Sequence, residues 1–389
     1  MLEPLLTEYL KGKEPFMLSL LRELVEIESG SSDKAGVDRA GAFMARQLER
    51  VGMKVESYPQ REFGNQVVGR RRSGGKGRLL ILGHLDTVWP TGTLKEWPFV
   101  ITGDGCATGP GVGDMKGGLM VALTALEALN ACGLCGLEAI TFLLIPDEEL
   151  GTPYSRPLIE AEGRQSDWAL VMEPGREDGG VVTSRSVLGR FIVRAQGRSA
   201  HCGVDYERGA SAVRELAGKV GPLESLTKVD QGIIVNVGIF KGGEARQVIP
   251  AAGEMHIDFR APDQTQADEL MAQVRALALT AANSKVSLSI EGGQTRPAFP
   301  RSSGTVHLYR HAAAIAEELS IPLPEVHTRG GSDGSLVAAL GVATLDGLGP
   351  VSLDDCSRHE RVVISTLVPR TLLLAHLIVA LDRECNRDR

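Results

Sequence analysis

Residues able to bind metal or move protons recur in this chain at the ends of apolar runs. The run Arg78-Leu-Leu-Ile-Leu-Gly83 reads as a buried strand and is followed at once by His84-Leu-Asp86. Side chains two apart on a strand share a face, so His84 and Asp86 project into one space. A histidine that binds metal through one ring nitrogen needs a carboxylate or carbonyl on the other, and one strand end could supply both. Two further runs, Ala139–Ile145 and Trp168–Met172, end in Pro146-Asp147-Glu148-Glu149 and Glu173-Pro174. Ligands of open α/β sheets bind just beyond the carboxyl ends of strands, so acids at several such ends point to one site. The stretch Thr108-Gly-Pro-Gly-Val-Gly-Asp-Met-Lys-Gly-Gly118 is a glycine-rich loop leading into a helix. It does not meet the phosphate-binding pattern G-x-x-x-x-G-K-[ST], because Met115 precedes Lys116 and a glycine follows it. A loop shaped to hold Asp114 is the alternative.

Each of these residues also has a plain structural reading. His84-Leu-Asp86 alone is a turn after a strand, and Asp114 alone is a helix N-cap. Asp147-Glu148-Glu149 alone is a solvated acidic turn, and Glu173 before proline is a loop carboxylate. His359 stands among Asp354, Asp355, Arg358, Glu360 and Arg361, as an exposed salt-bridged loop would require. Only the set as a whole argues for a site.

The elements that must position them follow from periodicity. Helices are expected over Pro15–Glu28, Lys34–Val51 and Leu119–Leu129. Short strands are expected near Lys54–Tyr58 and Gln66–Gly69, ahead of the strand that carries His84. From about Ser186 the rhythm becomes strand, helix, strand, strand, helix, strand: Leu188–Ala195, Ala210–Val220, Gly232–Phe240, Gly253–Arg260, Gln264–Ala282 and Lys285–Ile290. That β-α-β-β-α-β order is the ferredoxin-like split unit. It is expected to be an insertion over 186–298 within an α/β domain formed by 1–185 and 299–389. The second part of that domain contains a helix over Val306–Leu319, the loop Arg329-Gly-Gly-Ser-Asp-Gly334, a strand Val342–Leu345 and a closing helix Leu367–Leu381.

The bulk properties agree with a two-domain globular chain. There are 389 residues, 43% of them hydrophobic, and no apolar run reaches the ~20 residues that span a bilayer. A net charge of −7 without a basic stripe argues against nucleic acid as a partner. Arg70-Arg71-Arg72 reads as a solvated turn. The N-terminal stretch has acidic residues and no apolar core, unlike a secretory signal, so a cytoplasmic location is the expectation. The six cysteines are scattered as reduced thiols are; Cys132-Gly-Leu-Cys135 has no second pair for zinc and is read as structural.

Taken in order, His84-Leu-Asp-Thr-Val88, Gly113-Asp-Met-Lys-Gly-Gly118, Asp147-Glu-Glu-Leu-Gly151, Glu173-Pro174, Ser199-Ala-His-Cys-Gly203, Gly330-Gly-Ser-Asp-Gly334 and His359 resemble the co-catalytic dizinc metallopeptidase and aminoacylase family. The glutamate carboxypeptidase (carboxypeptidase G) branch is closest in look, and relatives include acetylornithine deacetylase and succinyl-diaminopimelate desuccinylase. The resemblance implies a mixed-sheet catalytic domain with an inserted lid and dimerisation domain. It implies one zinc on His84, Asp114 and Glu173 and another on Asp114, Glu149 and His359, with cobalt or manganese as possible substitutes. Mixed imidazole and carboxylate ligands suit zinc. Glu148 would be the general base, Asp86 would orient His84, and His201 would hydrogen-bond the developing oxyanion from the partner subunit of a homodimer. Arg260 would bind the substrate's free carboxylate, unless it only pairs with Asp258 or Asp263. Arg296, Gln247, Gly330, Gly331 and Ser332 complete the implied substrate contacts. Two departures stand out: the family has asparagine where Gln247 stands, and the loop before His359 lacks the usual G-P-x-G spacing. The implied activity is amide hydrolysis releasing a C-terminal amino acid, glutamate favoured, from a peptide or N-acyl (folate-like) conjugate. The alternatives are an N-acyl amino-acid deacylase or desuccinylase of other specificity, or an amino-acid-binding protein of the same fold without catalysis.

Overall fold

The computed structural model describes residues 2–386. Contacts divide the described residues into two compact units, one formed by residues 2–184, 301–327 and 332–386 and the other by 185–300 and 328–331.

The first unit is built on a six-stranded mixed sheet. Its spatial order is Lys54–Tyr58, Gln66–Arg72, Ala139–Ile145, Arg78–His84, Trp168–Val171 and Ala343–Leu345. The first two strands run antiparallel to their neighbours, and the rest are parallel. The central strand reads as a continuous apolar run because both faces are covered. Leu79 and Ile81 point into one core with the helices Gly118–Cys132 and Leu367–Cys385. Leu80 and Leu82 point into the other, with Ile159, Leu336 and Val337. Helix Gly118–Cys132 is buried nearly all round, so its apolar residues show no clear stripe. The segment Ile364–Cys385 is long and apolar enough to cross a membrane, but 67% of its most apolar window is buried inside the protein, as in a core helix.

Short elements went unforeseen where no period of 2 or 3.6 has room to develop. They include the helices Pro4–Leu10 and Arg156–Gly163 and the strands Val100–Ile101, Cys106–Thr108, Ser352–Leu353 and Arg361–Val363. The last of these matters most, because it pairs antiparallel with Cys106–Thr108 and ties the loop around residues 352–360 to the Asp114 loop.

The second unit is a four-stranded antiparallel sheet in the order Ile234–Gly242, Ala252–Ala261, Val187–Gln196 and Ser287–Arg296. Two helices, Ala212–Glu224 and Gln264–Leu279, pack on it. Along Val187–Gln196 alternate residues are buried, and Phe191 and Val193 join Met255, Ile257 and Phe259 in the core. Ser211 caps the first helix by accepting the Arg214 N–H, and Asp263 caps the second by accepting that of Gln266.

One buried carboxylate fastens this unit internally. Glu215 is 6% exposed and accepts the N–H groups of Ala282 (2.8 Å) and Asn283 (3.1 Å) while pairing with Lys219 at 3.3 Å. Burial pushes its carboxyl up, but these donors outweigh burial and hold it below the ordinary glutamate range. Its ionised form therefore stabilises the fold above the unfolded pKa of about 4.3, and that contribution is lost as pH falls through the lower folded value. Glu215→Ala is expected to cost about 3 kcal/mol at pH 7. In urea unfolding of the full chain, the gap between variant and wild type should narrow toward pH 3; a gap independent of pH would contradict this account.

Candidate metal centre

The parallel register delivers the site. His84 lies opposite Ile145, and Leu82 opposite Val171, so three neighbouring strands end at one sheet edge. His84, the Asp147-Glu148-Glu149 turn and Glu173 all emerge there. Asp114 arrives from the fourth direction, in the loop that opens helix Gly118–Cys132. That helix start can sit against the Glu173 strand only because residue 118 is glycine: a Cβ there would lie 1.9 Å from the Met172 carbonyl oxygen.

The ligand-type atoms converge. One Nε2 or Nδ1 of His84 and carboxylate oxygens of Asp114 and Glu149 all lie within 4.8 Å of one another. His84 Nε2 is 3.0 Å from Asp114 Oδ1 and 3.9 Å from Glu173 Oε1. The ring is buried, yet its pKa lies well above the ordinary value: burial lowers it, and Asp114, Asp86 and Glu173 more than reverse that. Glu149 is pushed up to about 9, first by burial and then by the charges of Asp114, Glu148 and Asp86, against which only His84 acts in the opposite sense. Glu173 lies well above its ordinary value, raised by burial first, then by Asp114, Glu148 and Asp346, with His84 acting against them. Glu149 Oε1 is buried without a hydrogen-bond partner. Carboxylates gathered at this density call for positive charge, and the imidazole and oxygen donor set fits a divalent transition metal.

Asp86 differs in detail from its expected part. The group nearest His84 Nδ1 is the Asp86 backbone carbonyl at 2.9 Å, while the Asp86 carboxylate is 3.5 Å away. That carboxylate instead accepts the Ser31 hydroxyl (2.7 Å) and the N–H groups of Glu148 and Glu149 (3.2 Å each). Asp86 thus orients His84 through its main chain and holds the acidic turn through its side chain. Asp147, fully buried, secures the segment that follows this turn by accepting the N–H groups of Tyr154 and Ser155. Glu148 is left half-buried at the mouth of the cluster.

Two residues near the C-terminal loop depart from expectation. His359 is exposed, and its ring makes no hydrogen bond or ion pair with any described residue. Cys356 instead reaches the cluster, its Sγ 3.4 Å from Asp114 Oδ2. Glu360, read above as part of a solvated loop, is 1% exposed. Its Oε1 accepts the N–H groups of Gly113 (2.9 Å) and Asp114 (3.1 Å), and its Oε2 faces Trp89 Nε1 at 3.4 Å. Burial, with Asp114 and Asp355 nearby, pushes its carboxyl up to about 7 against those N–H donors. No local signal distinguishes Glu360 from its charged neighbours, because its burial depends on a pairing of short strands distant in sequence. Lys116 is turned inward onto the Ile27 carbonyl (2.9 Å) and lowered to about 7 by burial, so it is no phosphate-binding lysine.

In the second unit, His201 is exposed and accepts the Gly203 N–H at Nδ1. Arg260 is engaged in a two-point pair with Asp258 (2.8 and 3.1 Å) and donates to the Arg329 carbonyl, the simpler of its two sequence readings. Gln247 is exposed, and its backbone carbonyl accepts the Cys202 N–H. Arg296 is buried, and the carbonyls of Gly330 and Gly331 accept from Arg185. Ser332, in the first unit, is fully buried with its hydroxyl accepting the Gly334 N–H, which makes it a turn-forming residue rather than an open contact.

Comparison with known proteins bears on this geometry. The family model described as Peptidase family M20/M25/M40 matches residues 80–380. Carboxypeptidase G2 from Pseudomonas sp. (strain RS-16) is 29% identical over 371 residues, covering 94% of this chain and 89% of that protein. Succinyl-diaminopimelate desuccinylase from Marinobacter nauticus is 28% identical, covering 88% of this chain and 94% of that protein. Among solved structures, a tripeptidase from Staphylococcus aureus has a TM-score of 0.80 at 20% identity, covering 95% of this chain and 99% of its own. A dinuclear metal-binding peptidase from Bacillus subtilis has a TM-score of 0.68 at 14% identity, covering 96% and 99%.

The Glu360 clamp is directly testable. Glu360→Ala removes the acceptor of the Gly113 and Asp114 N–H groups at the base of the Asp114 loop, a cost of about 1–3 kcal/mol. Equilibrium unfolding should show that loss, and zinc titration should show weaker binding although no proposed ligand was changed. Unaltered stability together with unaltered zinc affinity would remove Glu360 from this role.

Proposed function

Because the chain belongs to peptidase family M20/M25/M40, a family of metal-dependent hydrolases, we propose that it is a two-zinc carboxypeptidase that releases a C-terminal amino acid, preferentially glutamate, from a peptide or N-acyl conjugate. The observation that carries the reading is the convergence of His84, Asp114 and Glu149, with Glu173 3.9 Å from the same imidazole. The glutamate preference is supported by the likeness to carboxypeptidase G2 along nearly the whole chain. The likeness to a succinyl-diaminopimelate desuccinylase favours the second reading, an N-acyl amino-acid deacylase using the same centre.

His84, Asp114 and Glu173 would hold one ion, with Asp114 and Glu149 contributing to the other. The chemistry such ions would supply is polarisation of the scissile carbonyl and a lowered pKa for the attacking water. Glu148 takes the proton of the attacking water and returns it to the amine nitrogen as the amide bond breaks. It suits that part because its backbone is fixed by Asp86 while its side chain keeps access to solvent. His84 is kept from turning by the Asp86 carbonyl at Nδ1, leaving Nε2 for the ion. His201 would donate to the oxyanion across a homodimer formed by the inserted unit. Arg260 would exchange Asp258 for the substrate carboxylate, with Arg296 a second candidate for the same contact. The six free cysteines support a reducing compartment, and we place the protein in the cytoplasm.

Glu148→Gln should keep its full zinc content and substrate affinity while turnover falls about 10²–10⁴-fold. Loss of zinc on the same substitution would mean that Glu148 is a ligand instead. A panel of N-acyl amino acids assayed on the zinc-loaded enzyme separates the two readings: the highest kcat/KM is expected on glutamate, and equal values across side chains would leave the deacylase.

A further inference from the structure

The centre lacks the imidazole that the sequence put forward for its second ion, since the His359 ring is exposed and makes no contact with the cluster. The loop carrying it nevertheless docks tightly on the metal-binding loop. A Cβ at residue 113 would lie 1.9 Å from Ser352 Oγ, so glycine beside Asp114 is what lets the two loops touch. Cys106–Thr108 and Arg361–Val363 pair behind them, and Glu360 grips the Gly113 and Asp114 N–H groups. The docked loop thus delivers a side chain to Asp114, and that side chain is Cys356.

The two oxygens of Asp114 face different partners. Oδ1 is 3.0 Å from His84 Nε2, and Oδ2 accepts from Cys356 Sγ at 3.4 Å. A carboxylate flanked in this way, with one donor atom beside each oxygen, is arranged as a bridge between two cations. Glu149 brings a further carboxylate oxygen within 4.8 Å of the Asp114 and His84 ligand atoms, and its Oε1 is buried with no hydrogen-bond partner among the described residues. Resting on the two-metal reading above, we propose that Cys356, not His359, is a ligand of the second metal ion, completing a set of Asp114, Glu149 and Cys356.

The chemistry has a consequence for metal choice. A thiolate is a soft ligand that favours zinc or cobalt and disfavours manganese and magnesium, whereas an imidazole at the same place discriminates less. Binding deprotonates the thiol: the S–H bond breaks, the proton goes to solvent, and the sulfur lone pair forms the metal bond. The second ion of this protein is therefore a thiolate-bound one.

Cobalt(II) loading of the full chain reads this out independently of any substrate. Wild type should bind about two ions and show thiolate-to-cobalt charge-transfer absorption in the near ultraviolet. Cys356→Ser should lose that absorption and one of the two ions, and His359→Ala should keep both. Absence of the band from wild type, or loss of an ion in His359→Ala or Asp355→Asn with Cys356→Ser unchanged, overturns the assignment. A measurement on the unsubstituted protein guards against misfolded variants: zinc should protect Cys356 from iodoacetamide while leaving exposed Cys202 reactive, as followed by peptide mass spectrometry. Equal alkylation of Cys356 with and without zinc again refutes it. A protein with the thiolate signature that hydrolyses no acyl amino acid would sink the proposed activity but not this ligand; hydrolysis without the signature would do the reverse.

Discussion

Mutual repulsion among carboxylates at one sheet edge is the constraint around which the first unit is built. Burial first, and then the charges of Asp114 and Glu148, push the Glu149 and Glu173 carboxyls far above the ordinary range. A fold of marginal stability tolerates such a cluster only where the surroundings over-determine its geometry. Here the surroundings are the ends of parallel strands in a mixed sheet whose two faces are both covered by apolar core.

The side chains that hold the cluster are themselves mostly acids, but they spend their oxygens on backbone N–H groups. Asp86 holds the Glu148–Glu149 turn, Asp147 the turn that follows, and Glu360 the Asp114 loop. Each replaces water at a peptide donor, so oriented dipoles face its carboxylate oxygens. Potential ligands and supports thus share a chemistry and differ only in what they face. Close approach does the rest: Gly113 and Gly118 let two loops come nearer to the centre than any side chain would permit.

The second unit obeys a simpler rule. Its antiparallel sheet keeps one face on two helices, and its charged residues find partners locally, as Arg260 does with Asp258 and Glu215 with Lys219 and two N–H groups. Under the role proposed for Arg260, a substrate carboxylate would have to displace the partly exposed Asp258, an exchange of partners that would favour ligands with a full negative charge.

Much of this was legible in the residues. The six-element rhythm after Ser186, the apolar runs of the parallel strands and the acids at their ends follow from side-chain periodicity and the geometry of parallel sheets, both local properties. Resemblance supplied the ordered set His84, Asp114, Glu149 and Glu173, and three of these meet in space. What the chain order could not supply were relations made by distant segments. The burial of Glu360, the turning of the Asp86 carboxylate toward the acidic turn, and the arrival of Cys356 instead of His359 at Asp114 all depend on short strands and glycine contacts that bring residues 352–363 against residues 106–118. Periodicity and motif order determined which elements form and which acids gather. Tertiary docking decided which atoms face the centre, because a loop's side-chain directions are set by what it packs against, not by its own sequence.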